Sequence, residues 1–303
     1  MAVTAEMVKE LRERTGAGMM DCKRALAEAD GDAEKAIEIL RERGLATAAK
    51  KAGRVASEGL VVAYVSPDAK VGALVEVNCE TDFVARNEEF QEFAAELAQA
   101  VTGMSLASPV GEGATLLDQA MPGGTVNERL TALIAKIGEN MAVRRYARFA
   151  VTGAGRVDAY IHMGGRIGVL VEATASGDAV AASDPFKGAL RDVAMQVAAA
   201  RPEYVRREEV PADVVEREMS IYRAQAANEG KPAQILDKIA QGKLEKFFKD
   251  TCLVEQPFIK DTDRSVDAML KERAKEAGGE LSVVRFARFE RGEGLAKRDE
   301  EAS

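Results

Sequence analysis

The sequence predicts an α+β protein. A three-helix N-terminal unit precedes two copies of one antiparallel-sheet-plus-helices unit, and the second copy carries an inserted helical hairpin. Three observations lead there. Apolar residues recur at helical spacing through residues 4–44. Residues 59–90 align without a gap on residues 155–186, with 12 of the 32 pairs identical. Finally, Val143-Arg144-Arg145-Tyr146-Ala147-Arg148-Phe149 returns as Val283-Val284-Arg285-Phe286-Ala287-Arg288-Phe289.

In the first unit Thr4 is placed to cap a helix whose Met7, Val8 and Leu11 share a face, and Gly16-Ala17-Gly18 breaks it. Met19, Cys22 and Leu26 are expected to line a second helix ending near Asp30-Gly31-Asp32. Asp32 caps a third, with Ala33, Ala36, Ile37 and Leu40 on one side, and Gly44 is the expected stop. The pattern resembles the ubiquitin-associated three-helix fold. Residues 46–54, rich in Ala and Lys, read as a linker. The expected domains are therefore 1–55 for this unit with its linker, 56–151 and 152–290 for the duplicated units, and 291–303 for a polar tail.

The duplicated segments give the strands. Val71-Gly72-Ala73-Leu74-Val75-Glu76-Val77 is a mostly apolar run, the mark of a buried strand, and residues 167–173 repeat it. The first repeat has an offset of 96 and the later strand one of 140, so the second copy holds 44 extra residues. These fall near 205–250, where two helices flank Asn228-Glu229-Gly230-Lys231-Pro232. Each unit is expected to have about three antiparallel strands with helices on one face. Residues 103–126, rich in Gly, Pro and small side chains, read as a flexible loop.

Composition excludes several function classes. The chain has 303 residues, 47% of them apolar, enough for two or three cores. Its net charge of −8 disfavours binding to a nucleic-acid backbone, although Lys50, Lys51 and Arg54 make one local basic face. Cys22, Cys79 and Cys252 are far apart and odd in number, as expected of reduced thiols in a cytoplasmic protein. No apolar run has the length of a membrane span, and Met1-Ala2-Val3-Thr4-Ala5-Glu6 is neither a secretory signal nor an Arg-rich transit peptide. The phosphate-cradling Gly-x-x-x-x-Gly-Lys-Ser/Thr is missing, as is a strand-linked Gly-x-Gly-x-x-Gly. With one histidine, His162, and no singled-out carboxylate pair, covalent catalysis is not expected, and neither is a cofactor or metal.

Three motifs carry a functional signal. One is Asn78-Cys79-Glu80-Thr81-Asp82-Phe83-Val84-Ala85-Arg86-Asn87, directly after the buried strand. Thr81 or Asp82 can cap the helix that follows, which leaves Phe83 in its first turn, free to point outward. The second is Leu11-Arg12-Glu13-Arg14-Thr15-Gly16-Ala17-Gly18-Met19-Met20-Asp21-Cys22-Lys23-Arg24-Ala25-Leu26, and the third Ala135-Lys136-Ile137-Gly138-Glu139-Asn140. Together they resemble the signatures of the elongation factor Ts family, over a span from Thr4 to about Leu295. The resemblance implies a guanine-nucleotide exchange factor that binds the GTPase elongation factor Tu and expels its GDP during translation elongation.

The duplication sorts fold residues from the rest. Asp82 recurs as Asp178, so helix capping in both copies is its simplest job. Phe83 corresponds to Ala179 and His162 to Ser66, while Ile137-Gly138 corresponds to Ala277-Gly278. A shared architecture therefore does not require Phe83, His162 or Ile137. Partner contacts are expected from Thr81, Asp82 and Phe83, from Ile137 and Gly138, and from His162 and Met163 in the glycine-rich hairpin Tyr160–Leu170, which resembles the family's contact loop. Adjacent Met19 and Met20 cannot share a helix face, so at least one is available as an adaptable contact beside Lys23. The resemblance implies that Phe83 wedges beside the partner's switch helix while Asp82 disturbs its Mg²⁺ region. It also makes the 205–250 hairpin a partner surface or a homodimer contact. After the last strand only Glu290–Ser303 remain, so contact through a longer C-terminal helical module, frequent in the family, is not expected. The competing reading is a non-catalytic adaptor built on a ubiquitin-associated-like module.

Overall fold

A computed structural model describes residues 3–296. Thr4 accepts a hydrogen bond from the Met7 amide and opens α1 (Ala5–Thr15), which Gly16 ends at φ 67°. Two further helices follow, α2 (Met19–Glu28) and α3 (Ala33–Lys51). Asp32 caps α3 by accepting from the Glu34 and Lys35 amides. Val8, Leu11, Cys22, Ala25, Leu26 and Ala36 close a small core between the three helices. Two expectations fail here. Met19 does not line α2's inner face, for it is 57% exposed. Nor does Gly44 stop α3: the helix runs on through most of the expected linker. Gly44 is buried in packing range of Thr131 and Ala135, and burial there outweighs the roughly 1 kcal/mol that a mid-helix glycine costs.

The first α+β unit runs β1 (Glu58–Val65), β2 (Val71–Cys79), α4 (Asp82–Ala85), α5 (Glu88–Gly103), β3 (Val110–Glu112), β4 (Ala120–Met121), β5 (Gly124–Thr125), α6 (Val126–Ile137) and β6 (Met141–Ala150). Its sheet has the order β1-β2-β6-β3, antiparallel throughout. The α5 face of Phe90, Phe93, Leu97 and Val101 packs with Val75 and Val77 of β2 and with Leu130 and Ile134 of α6. Residues 103–126 are not a flexible loop. They supply β3 as a fourth strand, a 3₁₀ turn with fully buried Leu116, and the β4–β5 pair. Leu116 and Met121 anchor this segment, which composition alone made look loose.

The second unit repeats the plan with β7 (Gly155–His162), β8 (Ile167–Ala175), α7 (Asp178–Ala182), α8 (Asp184–Ala200), α9 (Ala212–Asn228), α10 (Leu236–Thr251), β9 (Pro257–Phe258), β10 (Asp261–Ser265), α11 (Val266–Glu276) and β11 (Leu281–Glu290). Its sheet has the order β11-β8-β7. Helices α9 and α10 form a hairpin whose base is tied by Glu203 and Tyr204, both donating to Thr251 O. The residues corresponding to β3, Asp250–Cys252, end α10 instead of pairing with β11, so the insertion removes the fourth strand from this sheet.

The two sheets meet face to face through matched residues. Val61, Leu74, Ala147 and Phe149 interlock with their counterparts Val157, Leu170, Ala287 and Phe289. Gly72 and Gly168 allow the close approach. A Cβ on Gly72 would lie 2.6 Å from Val157 Cγ1, and one on Gly168 2.4 Å from Val61 Cγ1. Arg145 stacks on Phe289 at 4.4 Å and Arg285 on Phe149 at 4.6 Å. Each arginine also bonds a buried glutamate on its own sheet: Arg145 with Glu76 at 2.6 Å, Arg285 with Glu172 at 2.7 Å. The duplication thus builds a pseudo-twofold seam.

Candidate functional site

Strand β2 is buried along nearly its whole length and delivers Thr81 to the protein surface. Thr81 is the helix cap: its hydroxyl accepts from the Val84 amide at 3.4 Å. Asp82 does not cap. It is the first helical residue, 3.0 Å from Arg86 one turn on. Asp178 likewise starts α7 after an uncapped Gly177, and its carboxylate lies 3.8 Å from Lys70. The repeated aspartate therefore serves the positive end of a short helix rather than its cap. Val84 and Ala85 are buried, which turns Phe83 out to 79% exposure.

Glu139 locks this tip. Its carboxylate accepts from the Thr81 amide at 3.0 Å and from the Thr81 hydroxyl at 2.7 Å. Glu139 directly follows Gly138, the left-handed residue (φ 86°) that ends α6 after half-buried Ile137. Thr81, Asp82, Phe83, Ile137 and Gly138 are thereby brought into one cluster. The C-terminus of α3 is fastened to the same place. Lys51 Nζ donates to Gly138 O, Asn140 Nδ2 donates to Arg54 O at 2.7 Å, and Glu80 accepts from the Asn140 amide at 2.7 Å. Beneath the tip, burial together with the Glu139 charge pushes the Cys79 thiol up to about 12.

His162 and Met163 occupy the turn between β7 and β8. Met163, Gly164 and Gly165 all have positive φ there, at 48°, 63° and 94°. Met163 is 64% exposed, and His162 is exposed with its Nδ1 2.9 Å from the Tyr160 hydroxyl. Gly165 rests against Leu60 and the Val61 carbonyl of edge strand β1. Because Glu58 of β1 pairs with Cys79, this turn and the Phe83 helix lie near the same end of β1.

Met19 and Met20 are both open, at 57% and 63%, and Lys23 is exposed on the same helix. Their helix reaches the rest of the molecule through α3, so these three form a separate patch. Glu139, Lys51 and Asn140 escaped the sequence reading as positioning groups. Glu139 and Asn140 stood inside a recognised motif, but no spacing rule connects Glu139 to a threonine 58 positions away. Among the described residues, no group of three or more His, Cys, Asp or Glu is placed to hold a metal ion, and no helix is long and apolar enough to cross a membrane.

A family model described as Elongation factor TS matches residues 80–293. The chain belongs to the elongation factor Ts family. It is 53% identical to elongation factor Ts of Clostridium perfringens (strain SM101 / Type A), an alignment covering 98% of this chain and 96% of the relative. It is 50% identical to elongation factor Ts of Clostridium kluyveri (strain ATCC 8527), over 99% of this chain and 96% of the relative. With elongation factor Ts of Clostridium novyi (strain NT) the identity is 50%, over 98% and 95%. The family resemblance read from the three motifs is borne out over nearly the full length, and so is the α+β class.

Proposed function

We propose that this protein is a guanine-nucleotide exchange factor for the GTPase elongation factor Tu, acting during translation elongation without covalent chemistry of its own. One observation carries the reading: a chain of this family presents Phe83 79% exposed, on a four-residue helix whose cap is locked by Glu139. An apolar ring on a fixed base suits insertion into a slot on a partner.

The GTPase holds its nucleotide with a phosphate loop, Mg²⁺ and switch segments. An exchange factor must bind the nucleotide-free form better than the loaded form, and by linkage GDP then loosens the factor by the same ratio. Phe83 enters beside the switch helix, and Asp82 carries negative charge toward the Mg²⁺ region. The Ile137-Gly138 turn and the His162-Met163 turn line the same edge. Met19, Met20 and Lys23 hold the nucleotide domain from another side. The second α+β unit grips a different domain of the partner through its hairpin, where Ile221 and Ile235 are each 41% exposed. Swinging a two-state equilibrium from 1:99 to 99:1 takes about 5.5 kcal/mol, more than one phenylalanine supplies, so the contacts must act together.

The test is release of fluorescent GDP from purified elongation factor Tu, with and without this protein. Acceleration at substoichiometric protein is the expected result. Binding to the GTPase with an unchanged release rate would favour the adaptor reading instead.

A further inference from the structure

The turn that follows β11 ties several parts of the molecule together. It is closed by Glu293 N donating to Glu290 O at 3.1 Å and Leu295 N to Gly292 O at 3.0 Å. Gly292 N donates to Glu76 Oε1 at 2.8 Å. Glu76 is fully buried and also collects Arg144 at 2.9 Å and Arg145 at 2.6 Å. Arg145 reaches back to the Glu290 carbonyl at 3.0 Å. The Arg291 amide donates to Arg166 O at 2.8 Å, and Arg166 closes the turn that carries His162 and Met163. The Arg291 guanidinium lies 2.9 Å from Glu58 Oε2 and 3.4 Å from the Gly59 carbonyl. Glu58 pairs with Cys79, two residues before Thr81.

The duplicated fold demands only part of this arrangement. At the matching place after β6, Val151 N donates to Lys70 O at 2.8 Å, so the backbone bond is common to both copies. The side-chain half is not. Val151 has no guanidinium to offer β7, and Glu172 takes its bond from Arg285 where Glu76 collects Arg144, Arg145 and Gly292. Of these extra tethers, the bonds to Glu76 hold the turn onto the middle of β2, and the Arg291 side chain reaches the start of β1.

We infer that residues Glu290–Glu293 are a brace that sets the spacing between the His162-Met163 turn and the Phe83 helix, with Arg291 as its positioning residue. Its backbone grips the first, and its side chain grips the start of β1 beside the second. The inference rests on the proposed reading of both as contacts with elongation factor Tu. The two contacts sit on different sheets. Fixed relative to one another, they meet a partner as one surface, and the cost of ordering them is met during folding rather than during binding.

The experiment measures affinity for nucleotide-free elongation factor Tu, and GDP release, with the full chain. Arg291→Ala is expected to weaken affinity about 2- to 5-fold, the upper part of the range for a partly exposed ion pair. In a His162→Ala/Met163→Ala background the same substitution should change affinity less than about twofold, because the turn it places no longer makes contacts. Arg291→Lys should recover part of the loss, and Glu58→Gln should reproduce it. An equal loss in both backgrounds, or no loss in the wild-type background, would overturn the brace. If Arg291→Ala does not fold, Glu58→Gln carries the same two-background comparison with the same deciding outcomes. A wild-type protein that fails to accelerate release overturns the exchange reading itself, and the brace with it, before any variant is made.

Discussion

Removing the Phe83 ring separates a group used for binding from a group used for folding. Burying an exposed phenylalanine is worth roughly 1.5–3 kcal/mol. With 79% of Phe83 open in the free protein, about 1.2–2.4 kcal/mol of that remains for a partner. Phe83→Ala should therefore slow GDP release by about 8- to 60-fold. The covered fifth contributes only about 0.3–0.6 kcal/mol to the protein's own fold, a shift of about 1–2 °C in thermal midpoint. Fully buried Phe90 is the internal contrast: its truncation should cost about 3–5 kcal/mol of stability. Stopped-flow release of fluorescent GDP and thermal melting on the same preparations check both halves. Release within twofold of wild type, or a melting point lowered as much as by Phe90→Ala, would refute the assignment. Ala179→Gly at the paired position should leave release unchanged.

Glu139→Ala strips the Thr81 amide and hydroxyl of their shared acceptor, and bonds to a charged group are worth about 1.5–3 kcal/mol. Release should slow about tenfold, amide exchange at Thr81 should quicken, and Glu139→Gln, which keeps one acceptor, should fall between. Gly72→Ala and Gly168→Ala press a methyl into the seam from opposite sides, and each should lower stability by about 1–3 kcal/mol in denaturant melts. An unchanged midpoint for either would mean that the seam has room for a methyl group. Arg288, with Arg201 and Arg166, holds the Glu290 carboxyl below the usual range. Its stabilisation is therefore present above the unfolded value of about 4.3 and is lost as pH falls through the lower folded value. Wild type should be more stable than Glu290→Gln at pH 7, and the gap should close on acidification.

Local chemistry made most of the elements legible. Thr4, Asp32 and Gly16 act where their cap preferences put them, because a cap depends on two or three neighbouring residues. The paired strands read correctly because both copies keep the same apolar runs. Failures came where distant residues decide. Gly44 stays helical because Thr131 and Ala135 cover it, and residues 103–126 are ordered because Leu116 reaches a core built from other segments. Asp82 looked like a cap because it recurs, yet Thr81 takes that role and Asp82 pairs with Arg86.

By itself, the sequence determined the family, the duplication and its offsets, the inserted hairpin, and the choice of Phe83, His162 and Ile137 as residues the repeated architecture does not need. Such features lie in residue identity and spacing, which a linear chain displays directly. Only the tertiary structure decided that Glu139 clasps Thr81, that the two sheets join through a pseudo-twofold seam, and that Arg291 links Arg166 after the His162-Met163 turn to Glu58 at the start of β1. Those contacts join residues from 58 to 233 positions apart. Hydrogen bonds and close packing act over a few ångströms, so they exist only once the chain has brought their partners together.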